Sequence, residues 1–306
     1  MTQPHDYPHV LSRLINEPLL AHPTKAEVVV AAVLRRQGVE VNVAASAEFV
    51  QAPKAGPLQE KRMVDRSGGM PFLFDPSSGI AVINISGSLA HKQGFIGKSS
   101  GVMGYDGIGA QFQTAMDSTM VRGIILDHHT AGGEVHGAFQ LADRIFAARG
   151  RKPIIAVSDE MAYSAGYLLA CAADEVWLAS STAGVGSIGA VVVHMSYQTM
   201  LEAEGIKATV FRFGERKADG NPFEDLSADA ADRIQARIDY LGREFVGRVA
   251  KWRGISEKAV IDTQAATFVG QEAVRLRLAD GIADPIDVFQ AFARDIARRP
   301  FGRPLQ

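Results

Sequence analysis

Gly123-Ile124-Ile125-Leu126-Asp127 runs into His128-His129-Thr130-Ala131-Gly132-Gly133, and further along Pro153-Ile154-Ile155-Ala156-Val157 runs through Ser158-Asp159-Glu160 into Met161-Ala162-Tyr163-Ser164-Ala165-Gly166-Tyr167. Each is a short β-branched run that ends in a turn and opens a helical pattern. The same alternation recurs outward from this pair and argues for an α/β domain. It predicts further strands over residues 81–86, 175–179, 188–193 and 208–211. Helices are expected near 108–120, 135–148, 164–172 and 197–204, with a long one over 228–253 and a last one near 286–298.

Ahead of this domain the pattern changes. Over residues 12–38 apolar side chains recur at helical spacing, with Pro23-Thr24 as a start signal and Gly38 as a stop. A helical arm is expected there. From 44 to 76 periodicity is lost and Gly, Pro and charge gather, as in Ala52-Pro53-Lys54-Ala55-Gly56-Pro57, which reads as a linker. The expected organisation is therefore an arm and linker over 1–75, one domain over 76–300 and a short tail at 301–306.

Composition narrows the function classes. With 306 residues, 47% hydrophobic and 22% charged, the chain has material for one large core. Its 32 basic and 34 acidic residues are interspersed, so no basic stripe marks a nucleic-acid partner. The single cysteine, Cys171, excludes an internal disulfide and reads as a packed core thiol; no Cys/His spacing suggests zinc. Met1 to Val10 has no secretory-leader pattern, and no apolar run approaches the length of a membrane span, so a soluble protein without metal or cofactor is expected.

Two strand-to-helix turns carry the chemistry. Gly132-Gly133 can adopt backbone angles that aim N–H groups at an oxyanion, although Gly-Gly at such a place is also an ordinary tight turn. Ser164 falls at a helix start, where a serine taken alone is an N-cap. Consecutive strand ends bearing a glycine corner and a serine would face each other across a crevice, and there Ser164 becomes a candidate nucleophile. An α/β-hydrolase elbow does not fit, because Ala162 replaces its first glycine. The base is open between Lys217, in Gly214-Glu215-Arg216-Lys217-Ala218-Asp219-Gly220, and His194 with Asp219; His128 and His129 lie beside the glycine corner. A lysine serves as a base only where burial favours its neutral form.

Taken together, Thr130-Ala131-Gly132-Gly133, the Ser164 segment, Gly184-Val185-Gly186-Ser187-Ile188-Gly189, the Lys217 segment, Phe268-Val269-Gly270-Gln271-Glu272-Ala273 and Leu278-Ala279-Asp280-Gly281 resemble the S49, or signal-peptide-peptidase A, family in order and spacing. The resemblance spans residues 80–285. It implies a ClpP/crotonase-like fold in which Ser164 is nucleophile, Lys217 general base, Gly133 the oxyanion-hole amide and Gly132 part of the oxyanion loop. Two positions depart: Thr130-Ala131 stands for the usual Ser-Pro, and Arg277 for a common glycine.

Pro8-His9-Val10-Leu11, Asn16-Glu17-Pro18-Leu19-Leu20, Ile85-Ser86-Gly87-Ser88-Leu89 and Gly104-Tyr105-Asp106-Gly107-Ile108 are similar to the phage capsid-assembly branch, the lambda-type protein C proteases. That branch implies an endopeptidase acting within the procapsid in the host cytoplasm. Its substrates would be scaffold, coat or portal proteins, and it would work as a homo-oligomer, with completion of the site within one subunit or by a neighbour left open. The other readings are a soluble bacterial signal-peptide-degrading S49 peptidase and an inactive structural head or scaffold-associated protein.

Overall fold

The computed structural model describes residues 18–22, 71–92 and 102–299. Its strands in chain order are β1 (Leu19–Ala21), β2 (Leu73–Asp75), β3 (Ile80–Ser86), β4 (Ser88–Ala90), β5 (Val102–Gly104), β6 (Gly123–Thr130), β7 (Gly132–Glu134), β8 (Ile154–Tyr163), β9 (Glu175–Leu178), β10 (Gly184–Gly186), β11 (Thr267–Val269) and β12 (Gly281–Ile282). The helices are α1 (Tyr105–Asp117), α2 (Ala138–Ala147), α3 (Ala165–Ala170), α4 (Gln198–Ala203), α5 (Ala228–Arg253), α6 (Glu257–Ile261), α7 (Gly270–Arg275) and α8 (Pro285–Arg298). The expected α/β class is the one observed.

Strands β3, β6 and β8 run parallel at the centre of the large sheet, and β8 continues the parallel pairing to β9 along its first half and to β10 along its end. Helices cover both faces, which is why these strands read as near-continuous apolar runs. Ile124 and Leu126 point into the main core with Ile108, Leu141, Leu168 and Phe245. Ile125, one residue out of phase, points into a second core with Ile80, Val82, Ile155 and Val157. That core is closed by Val288, Phe289, Phe292 and Ile296, the apolar stripe of α8. Asp284 caps this helix through Ile286 N at 2.9 Å, with Pro285 in its first turn.

Three expectations change. Residues 188–193 form no strand; the strand is β10, one step earlier, where it pairs with both β8 and β11 and its residues are buried. Residues 208–211 also form none, since β propensity without a neighbouring strand does not make a sheet, and Phe211 stands 92% exposed. Residues 19–21, within the expected helical arm, are extended. His22 precedes Pro23, which disfavours the helical region for His22, and Pro18 on the other side has no N–H to give a helix or ladder. The rest of the expected arm, most of the linker and the tail at 301–306 lie outside the described residues. The sheet also begins before residue 76, because β2 pairs antiparallel with β3.

Arg277, where the resemblance expects a glycine, has a φ of 61°, in the left-handed region that favours glycine. Its side chain is exposed. Arg277→Gly should raise stability by about 1 kcal/mol in urea unfolding, the relieved left-handed backbone cost less the added freedom of glycine in the unfolded chain. A loss of stability would mean that the guanidinium outweighs the backbone cost.

Candidate active site

Strand β8 delivers Ser164 to the first turn of α3 in a conformation that serine rarely adopts, φ 53° and ψ −116°. Such a backbone costs roughly 1–3 kcal/mol and persists only where the surroundings impose it. Here the Ser164 amide donates to Gly186 O at 2.8 Å, while its carbonyl accepts from Leu168 N at 2.9 Å. The side chain does not cap the helix. Its Oγ is buried with no hydrogen-bond partner among the described residues, and the residue is 1% exposed. A buried hydroxyl left unbonded costs stability, so the N-cap explanation of this serine does not hold.

The glycine corner meets the serine as expected. Gly132 has a φ of 97°, and a Cβ there would stand 3.0 Å from the Ser164 Cβ and 3.1 Å from Ala165 N. At Gly133 a Cβ would fall 1.9 Å from Leu89 O. Gly166, just past the serine, packs so closely on Thr130 that a Cβ would lie 2.5 Å from its methyl. Gly132 and Gly166 are therefore required by close approach of one turn to the other, and Gly133 by close approach of the β4 backbone. Thr130, at the departed position, fixes the loop through its side chain: its Oγ1 donates to Gly87 O at 2.6 Å and accepts from Gly132 N at 3.1 Å. The β6–β8 register shifts between His128 and Thr130, which sets the corner at the end of the sheet.

The candidate bases are not gathered in the same way. Lys217 lies on a 3₁₀ turn, Glu215–Ala218, and is exposed; within one chain its ammonium makes no hydrogen bond to Ser164. Asp219 is held by Arg233 at 2.6 and 3.0 Å, so its carboxylate is engaged there. His194 is half-buried beside the same segment, its Cδ2 3.9 Å from the place of a Gly220 Cβ, and its Nε2 has no partner among the described residues. The His194–Asp219 bond that a Ser/His/Asp triad requires is therefore not made. His128 is fully buried, and burial pushes it down to about 3, so it is neutral; His129 lies 3.6 Å from Glu160. Cys171 is the packed thiol expected, pushed up to about 12 by burial.

Among the described residues, no group of three or more His, Cys, Asp or Glu side chains could hold a metal ion, and no helix is long and apolar enough to cross a membrane. Sequence reasoning missed two parts of the site. One is the Gly186 carbonyl, which anchors the serine amide; the other is β1, which lies against the glycine corner. The prolines at 18 and 23, bracketing Leu19-Leu20-Ala21, are the sequence signal for that extended segment.

Residues 147–297 match the model of "Peptidase family S49". The chain is 37% identical over 286 residues to "Head-tail preconnector protein GP5" of Enterobacteria phage P21, covering 93% of this chain and 57% of that protein. It is also 37% identical over 281 residues to "Capsid assembly protease C" of Escherichia phage lambda, covering 92% of this chain and 64% of that protein. The chain thus spans about three-fifths of the length of these curated relatives. Among solved structures it is similar to a putative enoyl CoA hydratase/isomerase (crotonase) from Legionella pneumophila subsp. pneumophila str. Philadelphia 1, with a TM-score of 0.45 and 13% identity, covering 76% of this chain and 79% of that one.

Two measurements check the site's energetics. Ser164→Gly should be more stable than the parent, by about 1 kcal/mol, because it removes both the backbone strain and the unbonded hydroxyl; a less stable variant would place the strain elsewhere. Burial first, and the charge of Asp159 second, raise the Asp127 carboxyl to about 7 against an opposing hydrogen bond from Asn84. The ordinary value is 3.8, so the protonated form supports the fold fully below that pH, and the support is lost as pH rises to about 7. In thermal melts, the Tm of Asp127→Asn relative to the parent should therefore rise between about pH 4 and pH 7 and then level off.

Proposed function

The chain belongs to peptidase family S49 through its residues 147–297, and from that premise we propose that it is a serine endopeptidase of phage head assembly. The observation that carries this reading is the Ser164 hydroxyl: buried, unbonded among the described residues, and held on a strained turn against Gly132. A structural serine would be bonded; a nucleophile is kept available for a substrate carbonyl.

In this mechanism Lys217 takes the Ser164 proton as Oγ attacks the scissile carbonyl carbon. The oxyanion is received at the Gly132–Gly133 corner, with Gly133 supplying the amide. Collapse expels the amine, which takes the proton from Lys217, and water then releases the acyl group from Ser164 by the reverse relay. Lys217 is exposed in one chain, and Phe211 and Phe213 beside it are 92% and 100% exposed. These features support completion of the Ser/Lys dyad across a subunit contact that buries this segment and so favours the neutral amine. Scaffold, coat or portal proteins are the substrates, within the procapsid in the host cytoplasm. The relatives named for capsid assembly and head–tail connection support that assignment.

Co-expression with the neighbouring scaffold and coat genes, followed by intact mass, tests the reading. Discrete fragments should form with the parent and vanish in Ser164→Ala and in Lys217→Ala. Mixing the two inactive variants should restore part of the cleavage, because each supplies what the other lacks across the contact. Cleavage surviving in Lys217→Ala would move the base to His194. Absence of fragments with the assembled parent would leave an inactive head protein.

A further inference from the structure

Residues 18–22 stand far from the catalytic segments in sequence, yet they lie directly on the glycine corner. Leu19, Leu20 and Ala21 pair antiparallel with Glu134, Gly133 and Gly132. On the other side Leu19 exchanges both backbone bonds with Val191, its N donating at 2.9 Å and its O accepting at 3.0 Å. His22 N donates to Ala131 O at 2.9 Å, and the His22 ring sits 5.4 Å from the ring of Tyr163, the residue before the nucleophile. The Leu20 carbonyl oxygen and the Ser164 Cβ crowd one point: both would touch a Gly132 Cβ, at 2.2 and 3.0 Å. Leu19 and Leu20 are buried.

An extended peptide, clamped by backbone bonds on both sides and presenting a carbonyl beside the glycine corner, has the placement that attack by Ser164 would demand of a substrate. Yet the segment belongs to the chain itself. It is also weakly built for a permanent strand: three residues long, and ended by Pro18 and Pro23, which have no N–H to extend the ladder. We propose that residues 18–22 are a built-in competitor for the peptide site, an autoinhibitory strand that must leave the slot between β7 and Val191 before a head-protein segment can enter. This rests on the peptidase reading for its purpose, but the occupancy itself is a matter of binding. A tethered occupant lowers apparent affinity for any peptide by the fraction of time that the slot is open.

The test uses full chains carrying Ser164→Ala, so that nothing is turned over, and a fluorescein-labelled peptide with the sequence of residues 17–24. Adding Leu19→Pro and Leu20→Asp removes the Leu19 donor and the buried leucine, and should tighten peptide binding at least tenfold with the circular dichroism spectrum unchanged. Equal or weaker binding by that folded variant overturns the proposal. A second measurement needs no strand substitution: in the Ser164→Ala chain, saturating peptide should raise hydrogen exchange at the Leu19 and His22 amides while Gly133 stays protected. Exchange at Leu19 and His22 that no peptide concentration changes means that β1 is a fixed part of the sheet, and overturns it as well. Cleavage by the parent is scored separately, so displacement without cleavage retires only the peptidase reading, and cleavage with an immovable β1 retires only the competitor.

Discussion

The bond from the Ser164 amide to Gly186 O, 2.8 Å long, and the contact of Ser164 with Gly132 hold the serine in a backbone conformation that it would leave if free. Everything at the site follows from that constraint. Strand β8 must extend to Tyr163 to reach the turn, β10 must run parallel beside its end to offer the Gly186 carbonyl, and the β6–β7 corner must be glycine to let the two turns meet. The apolar layers on either side of the sheet make the constraint affordable, since close-packed strands do not relax to relieve one residue.

Much of this was legible in the sequence because the relevant residues obey strong local rules. Gly123–Thr130 and Ile154–Tyr163 are β-branched runs with helical patterns after them, and Ser227 and Gly254 punctuate α5 as a capped helix start and a left-handed stop. Gly132, Gly133 and Ser164 were found from their places at strand ends. The misses share one physical cause: short strands owe their conformation to a partner distant in sequence. Leu19–Ala21 is extended through Gly132–Glu134 and Val191, and Gly184–Gly186 through Met161–Tyr163 and Thr267–Val269; residues 208–211 have the propensity but no partner.

The division between the proposed nucleophile and the proposed base has the same origin. Ser164 is set by the rigid centre of the fold, whereas Lys217 lies on an exposed turn whose neighbours, Phe211 and Phe213, are bare in a single chain. Asp219, bound to Arg233, and His194, with no bond from Asp219, do not replace it within the chain. On the proposed mechanism, the nucleophile is ready on folding and the base is gained on assembly. Joined to the proposed displacement of β1, this arrangement would keep proteolysis silent until subunits assemble.

The most direct test of Ser164 as nucleophile is acid quenching of assembled protein during reaction with an activated acyl ester, followed by peptide mapping of the trapped adduct. The account requires an acyl group on the peptide containing Ser164, absent from Ser164→Ala. An adduct confined to another residue, or cleavage-competent particles that never acylate Ser164, would contradict it.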